Sequence, residues 1–266
     1  MIVAIDAGNY ETKYFDGVQL KKFPSDIGFD WRERRLEQLH GDFDFEWEYQ
    51  GKRGFAGTLA KYESQCAESM KGDSKAHFDA LLRILLAIHQ FRRDSDVSVV
   101  VGQPINTHTN AEKKLIKEML TGRHDLTVNG IQRSILIRRC EVAAEGVSAG
   151  VLLPKNGVIR ILDIGSGTIN YGTLKDMRKV DRDSFSSTEG LETFRNAHPE
   201  AIARMIALRA MTKWSKHDLV RVCGGGADAL FRYLKEYFPC AELMQDSVFA
   251  NVRAFYEIGR KLYSGG

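Results

Sequence analysis

The chain has 266 residues, 43% of them hydrophobic, which is enough for a sizeable core spread over one or two domains. Its 38 basic residues nearly balance 35 acidic ones and form no dense basic block, so direct nucleic-acid binding is not expected. No apolar run approaches the roughly 20 residues of a bilayer span, and the start, Met1-Ile2-Val3-Ala4-Ile5-Asp6, lacks the basic lead of a signal peptide. A cytoplasmic protein without membrane contact is expected. Cys66, Cys140, Cys223 and Cys240 are scattered and form no Cys-x-x-Cys pair, which weighs against zinc and fits a reducing compartment.

In chain order, residues 2–5 predict a short apolar strand, and Tyr14-Phe15 belong to a second one. The polar turn between them, Asp6-Ala7-Gly8-Asn9-Tyr10-Glu11-Thr12-Lys13, makes this a hairpin with a functional tip. From about 23 to 70 the sequence is polar and aromatic. Within it Phe43, Phe45, Trp47 and Tyr49 alternate with Asp42, Asp44, Glu46 and Glu48. That period of two predicts a half-buried strand whose acidic outer face is solvated. Residues 51–57 read as a turn leading into 58–60. Asp73 or Ser74 is placed to cap a helix running to about Arg92, with Phe78, Leu81, Leu82, Leu85 and Ile88 as its apolar face. Residues 97–101 predict a buried strand ended by Gly102-Gln103-Pro104, and a helix follows over about 109–120. Strands are expected at 126–128 and 134–138 around an Asn129-Gly130 turn, and 143–152 reads as helix. Then come strands at 158–163, 169–174 and 177–183, with a glycine turn at 165–167 between the first two. Helices are expected at about 187–196 and 200–215, followed by a strand at 219–222. Gly224-Gly225-Gly226, a helix at about 228–237 and a closing helix at 247–262 complete the chain. Strands mixed with amphipathic helices make it α/β.

The sequence echoes itself. Ile2-Val3-Ala4-Ile5-Asp6-Ala7-Gly8 matches Ile159-Arg160-Ile161-Leu162-Asp163-Ile164-Gly165, and Tyr14 stands where Tyr171 does. Each copy is an apolar strand, an aspartate, one small or apolar residue, a glycine, a polar tip and a second strand, which suggests two similar halves. A glycine tip exposes consecutive backbone N–H groups and so forms a concave anion site. A carboxylate at the strand end can hold the water shell of Mg²⁺. Two such loops facing each other would grip a triphosphate, with Lys13 neutralising charge and Ser166 and Thr168 donating hydrogen bonds. Either loop alone reads equally well as a plain hairpin. The pair, together with the triple glycine, favours the phosphate reading.

These residues resemble a known family. Asp6-x-Gly8, Asp163-Ile164-Gly165-Ser166-Gly167-Thr168 and Gly224-Gly225-Gly226-Ala227 resemble the phosphate-one, phosphate-two and adenosine motifs of the actin, Hsp70 and sugar-kinase superfamily. The stretches 51–57, 99–104, 140–146 and 249–256 are similar to the ParM/StbA-type plasmid-segregation actins.

The resemblance implies an actin-like (ribonuclease H-like) fold, with two α/β halves around a nucleotide cleft. Domain I would comprise 1–145 plus 247–266, with a small IB-like insertion at about 23–72, and domain II would comprise 146–246. It also implies ATP or GTP with Mg²⁺ at Asp6 and Asp163. Gly8, Asn9, Thr12 and Lys13 would hold phosphates from one side, and Gly165, Ser166, Gly167 and Thr168 from the other. Gly224, Gly225 and Gly226 would lie against the nucleoside. Glu145 matches the acid that positions the attacking water, or else it is a solvated acid at a helix start. Arg138, Arg139 and Arg253 read as surface or interface charges. The stretch from Thr168 to Gly224 is too short for the extra subdomain called IIB, as in the reduced AlfA-like form.

The implied function is a filament-forming ATPase that contacts itself and a ParR-type DNA-binding adaptor. The alternative is a small-molecule kinase of the same superfamily, of the type III pantothenate kinase kind. A kinase would need a base for the acceptor, and no second acid follows Thr168 to suggest one.

Overall fold

A computed structural model of the chain describes residues 1–34, 41–67 and 74–263. The elements, labelled in chain order, are β1 (Ile2–Ala7), β2 (Glu11–Phe15), β3 (Leu20–Pro24), β4 (Ile27–Gly28), β5 (Asp44–Tyr49), β6 (Lys52–Gly57), α1 (Thr58–Glu63), α2 (Phe78–Phe91) and β7 (Asp96–Gln103). After these come α3 (Asn110–Leu120), β8 (Gly122–Val128), β9 (Ile131–Ala144), β10 (Val158–Ile164), β11 (Ile169–Lys175), β12 (Arg178–Lys179) and β13 (Phe185–Ser187). The chain ends through α4 (Pro199–Met211), β14 (Leu219–Cys223), α5 (Ala227–Tyr237), β15 (Glu242–Leu243) and α6 (Ala250–Tyr263).

The strands form two sheets. The first runs β3-β2-β1-β7-β9-β8-β5-β6-β4, and the second runs β12-β11-β10-β14-β15 with β13 beside β11. Each repeats one unit: an antiparallel hairpin, β1–β2 or β10–β11, whose first strand pairs in parallel with a later strand, β7 or β14. The central strands are covered on both faces, which explains their continuous apolar runs. Val3, Ile5, Val99 and Val101 join the core formed with α2, while the alternate Ala4 and Val100 pack with Val252 and Phe255 of α6. In the second sheet Leu162 and Ile164 pack with α4 and α5, and Ile159 and Ile161 pack with Val147 and Ala149.

The alternating strand is β5: Phe45, Trp47 and Tyr49 are buried, and Glu46 and Glu48 bind Arg34 and Arg53. The Asn129-Gly130 turn is present, both residues having positive φ, and Thr109 caps α3 by accepting from the Glu112 N–H.

Five local expectations need correction. Only Gln50 and Gly51 form the turn expected over 51–57, and the rest of that stretch is β6. His77, not Ser74, caps α2 by accepting from the Ala80 N–H, and Asp73 lies outside the described residues. Residues 143–152 are not an α-helix. β9 stays paired with β7 as far as Ala144, Gly146 turns with φ +71°, and only a 3₁₀ segment, Val147–Leu152, follows. The strand expected over 177–183 shrinks to β12, because Asp176 and Met177 form a left-handed turn and Asp181–Asp183 is 3₁₀. The helix expected over 187–196 is a 3₁₀ turn, Leu191–Phe194. The N–H groups of Leu191 and Glu192 donate to Gly165 and Ser166 carbonyls (3.1 and 2.9 Å), so they are not free to start a helical ladder.

Candidate functional site

The sequence echo is an echo of register. In the first hairpin Asp6 lies opposite Lys13 and Ile5 opposite Tyr14; in the second Asp163 lies opposite Asn170 and Leu162 opposite Tyr171. Both tyrosines are wholly buried and so pin each loop against its own core. The two leading glycines meet the same constraint. A Cβ on Gly8 would lie 2.7 Å from the Glu11 carbonyl oxygen, and one on Gly165 2.8 Å from that of Thr168. Each faces the carbonyl that closes its own turn.

The loops meet. A Cβ on Gly167 would come within 2.6 Å of Asn9 Nδ2. Between them is a cavity of about 90 Å³. Asp6, Gly8, Asn9 and Lys13 line it from the first hairpin, and Asp163, Gly165, Ser166, Gly167 and Thr168 from the second. Glu145, Gly224 and Gly225 also line it. Gly224 has φ +93°, and a Cβ there would sit 2.6 Å from Asp163 Oδ1.

Two predicted residues lie off the cavity wall. Thr12 is wholly buried behind the hairpin, where its hydroxyl bonds Ser25 Oγ at 2.8 Å. Gly226 donates its N–H to the Ile164 carbonyl at 3.0 Å, and a Cβ there would strike Leu191 Cδ1 at 2.4 Å. It serves close packing under the second loop. Arg138 and Arg253 are ion-paired on the surface with Asp96 and Asp246. Arg139 stacks on Tyr263.

Charge is concentrated and buried. Lys13 lies 3.5 Å from Asp6. Burial alone would lower the Lys13 ammonium, but Asp6, Glu11 and Asp163 outweigh it and hold it above its usual value. Asp163 Oδ2 accepts from Asn251 Nδ2 at 3.1 Å and Asn170 Nδ2 at 3.2 Å. Burial, reinforced by Asp6, nevertheless pushes its carboxyl up. Glu145 is only 6% exposed and its Oε1 has no hydrogen-bond partner, so the solvated helix-start role does not hold. Burial, with Asp6 and Asp163 against Lys75 and Lys13, raises this carboxyl to about 7.

The donor set suits Mg²⁺. Two buried carboxyls face one cavity and repel each other, and a cation between them would relieve both. That ion takes one or two carboxylates and fills its remaining positions with water and phosphate oxygens. It therefore needs no protein cluster of three ligands, and none occurs among the described residues.

Lys75 and Asn251 are among the wall residues that sequence reading missed. Lys75 reaches the cavity from the segment before α2, and no local pattern marks it. Asn251 stands in the first turn of α6, within the 249–256 stretch whose similarity had a chemical basis: it donates to Asp163 and accepts from the Gly146 N–H at 3.0 Å.

The family profile described as "Actin like proteins N terminal domain" matches residues 4–147, which carry the first loop, β7, β9 and Glu145. The chain belongs to the actin-like proteins. No curated protein matches it. Among solved structures, this actin-like chain is similar to the AlfA filament bound to AMPPNP, with 20% identity and a TM-score of 0.80 over 99% of this chain and 98% of that one. It is similar to the archaeal actin homolog Ta0583 in complex with ADP, at 19% identity and a TM-score of 0.79 over 98% and 99%. The apo ParM protein of pSK41 matches at 19% identity and a TM-score of 0.74 over 99% and 98%. These likenesses establish an actin-like α/β fold over the full chain. No helix among the described residues is long and apolar enough to cross a membrane.

Proposed function

We propose that this actin-like protein binds ATP or GTP with Mg²⁺ between its two glycine hairpins, hydrolyses it, and assembles into filaments as it does so. The observation that carries this reading is the facing pair of loops, each with an aspartate at its strand end, around a cavity that also holds the buried, partly unsatisfied Glu145. In this reading the N–H groups around Gly8–Asn9 and Gly165–Thr168 cradle the phosphates. Lys13 neutralises charge and Gly224 and Gly225 accommodate the nucleoside. Asp6 and Asp163 would hold Mg²⁺, mainly through water, and that ion would supply neutralisation of the phosphate oxygens. Glu145 orients the attacking water and accepts its proton. A carboxyl near 7 is well matched to that task at neutral pH.

The proposed division is 1–145 plus 247–266 for one domain and 146–246 for the other. In this division the second would lack a IIB-like insertion, a reading supported by the short stretch from β11 to β14, which holds β12, β13, α4 and 3₁₀ turns. Head-to-tail contacts between copies would give an open helical filament. By analogy with the plasmid actins, the filament would segregate DNA in the cytoplasm through a ParR-type adaptor, without touching DNA itself.

The test follows light scattering and phosphate release together with Mg-ATP, Mg-GTP, a slowly hydrolysed analogue or no nucleotide. Scattering that rises only with nucleotide, with phosphate released in the absence of an acceptor, is expected. Flat scattering, with turnover only on adding an acceptor such as pantothenate, would replace the filament by the kinase.

A further inference from the structure

Lys75 is a buried cation with little to hold it. It is 8% exposed and lies on the cavity wall. Its Nζ donates to the Ala7 carbonyl at 3.0 Å, at the base of the first loop. An ammonium carries three donors, and this contact is to a neutral acceptor. The other lysine of the cavity, Lys13, is engaged with Asp6. Glu145 attracts this ammonium, but no ion pair holds its Nζ among the described residues, so donors remain for an arriving anion. Backbone position is fixed as well, since the Lys75 N–H donates to Gln103 Oε1 at 3.0 Å, tying the start of α2 to the end of β7.

Position along the cleft distinguishes the two lysines. Lys75 and Glu145 are both tied to Gln103, the Lys75 N–H donating to its Oε1 at 3.0 Å and the Glu145 N–H to its carbonyl at 2.9 Å, and both residues line the cavity. A group that orients the attacking water stands beyond the terminal phosphoryl group, in line with the bond that breaks. Lys75 therefore stands at the terminal phosphate end of the cleft, whereas Lys13 faces the carboxylates of the two hairpins.

We propose that Lys75 is a ligand of the terminal phosphate and makes the site discriminate nucleoside triphosphate from diphosphate, with its anchorage on Ala7 and Gln103 holding the ammonium ready for that group. This rests on the nucleotide reading of the cleft. A lysine ammonium suits the role as a compact point charge with rotatable donors.

The test measures the affinities of Mg-AMPPNP and Mg-ADP for the full chain and for Lys75→Met and Lys75→Arg, by titration calorimetry. Loss of one charge-assisted contact predicts AMPPNP binding roughly 10- to 100-fold weaker in Lys75→Met, with ADP binding changed less than about 3-fold and partial recovery in Lys75→Arg. The ratio of the two affinities is read within one sample, so partial misfolding, which lowers both alike, cancels. An equal loss for both nucleotides, or no loss for either, overturns the assignment. If Lys75→Met does not fold, the ratio in Lys75→Gln, which removes the charge but keeps a polar end, decides: a ratio equal to wild type overturns the assignment, and a selective AMPPNP loss supports it. Wild-type protein that binds neither nucleotide overturns the reading of the cleft itself, an outcome distinct from any failure confined to Lys75.

Discussion

Replacing Glu145 by glutamine is expected to stabilise the nucleotide-free protein at neutral and higher pH while abolishing turnover. The carboxyl is buried, and burial is the largest cause of its rise to about 7 from the 4.5 of an exposed glutamate. A raised acid contributes fully to stability below pH ~4.5, where folded and unfolded chains are both protonated. That contribution is lost as pH rises toward 7, because the unfolded chain releases the proton first. The difference amounts to about 3 kcal/mol. Glutamine keeps the shape without the charge, and its amide can donate toward Asp6 and Asp163, the acids that now repel Glu145. Urea denaturation of wild type and Glu145→Gln should give similar free energies near pH 4.5 and a gap opening to about 2–3 kcal/mol in favour of the variant by pH 8. For a chain of this size that gap corresponds to roughly 5–10 °C in Tm. Phosphate release should fall about 10²–10⁴-fold, the usual contribution of a positioned base. Parallel stability curves across this range would refute the claim that burial of the Glu145 charge outweighs its attraction to Lys75 and Lys13. Undiminished phosphate release would remove it from the chemistry.

Four further substitutions separate the parts of the site. Gly224→Ala places a Cβ 2.5 Å from the Ile164 carbonyl oxygen at φ +93°, so a cost of about 2–4 kcal/mol is expected on urea denaturation. Gly225→Ala meets open space and should stay within about 0.5 kcal/mol. Asn251→Ala leaves the Gly146 N–H without its acceptor and takes a donor from Asp163, costing about 2 kcal/mol in the same assay. Because that donor holds the Asp163 carboxyl down, the acid limb of the phosphate-release profile should move to higher pH. Thr12→Val loses the hydrogen bond to Ser25, about 1 kcal/mol, but should change nucleotide affinity less than 2-fold, since Thr12 does not reach the cavity.

The reach of the sequence follows the range of the interactions. Each hairpin is local: strand, turn glycine and return strand lie within about fourteen positions, so Asp6, Gly8, Asp163 and Gly165 could be placed by pattern alone. Thr12 was misplaced because alternation along β2 sends its side chain to the face opposite Lys13, toward Ser25, which only β3 and the following turn bring near. Lys75 and Asn251 were illegible for the same reason. They reach the cavity from segments 68 and 88 positions away from their partners Ala7 and Asp163. The false helix over 187–196 has a related origin. Its sequence is compatible with a helix, but Gly190 is pressed against Ser166, and the neighbouring N–H groups bind the second loop instead. Tertiary hydrogen bonds there outweigh local preference.

The repeat also explains how one site obtains two different aspartates. The hairpins share strand register, buried tyrosine and turn glycine, so their backbones present the carboxylates alike. They differ at the position opposite the aspartate: Lys13 faces Asp6, whereas Asn170 faces Asp163. Asp6 thus has a cation in contact, while Asp163 is held directly by two neutral amides and feels Lys13 as the weakest of its causes, so burial still wins and its carboxyl is pushed up. A divalent cation entering between them should therefore gain most from Asp163. Substituting Asn170 with lysine would erase that asymmetry by giving the second hairpin a cation of its own. The expected result is weaker Mg²⁺ dependence of nucleotide binding, read as a higher Mg²⁺ concentration for half-maximal AMPPNP binding, with binding in the absence of Mg²⁺ retained or improved. An unchanged Mg²⁺ requirement would mean that the two hairpins do not divide the work in this way.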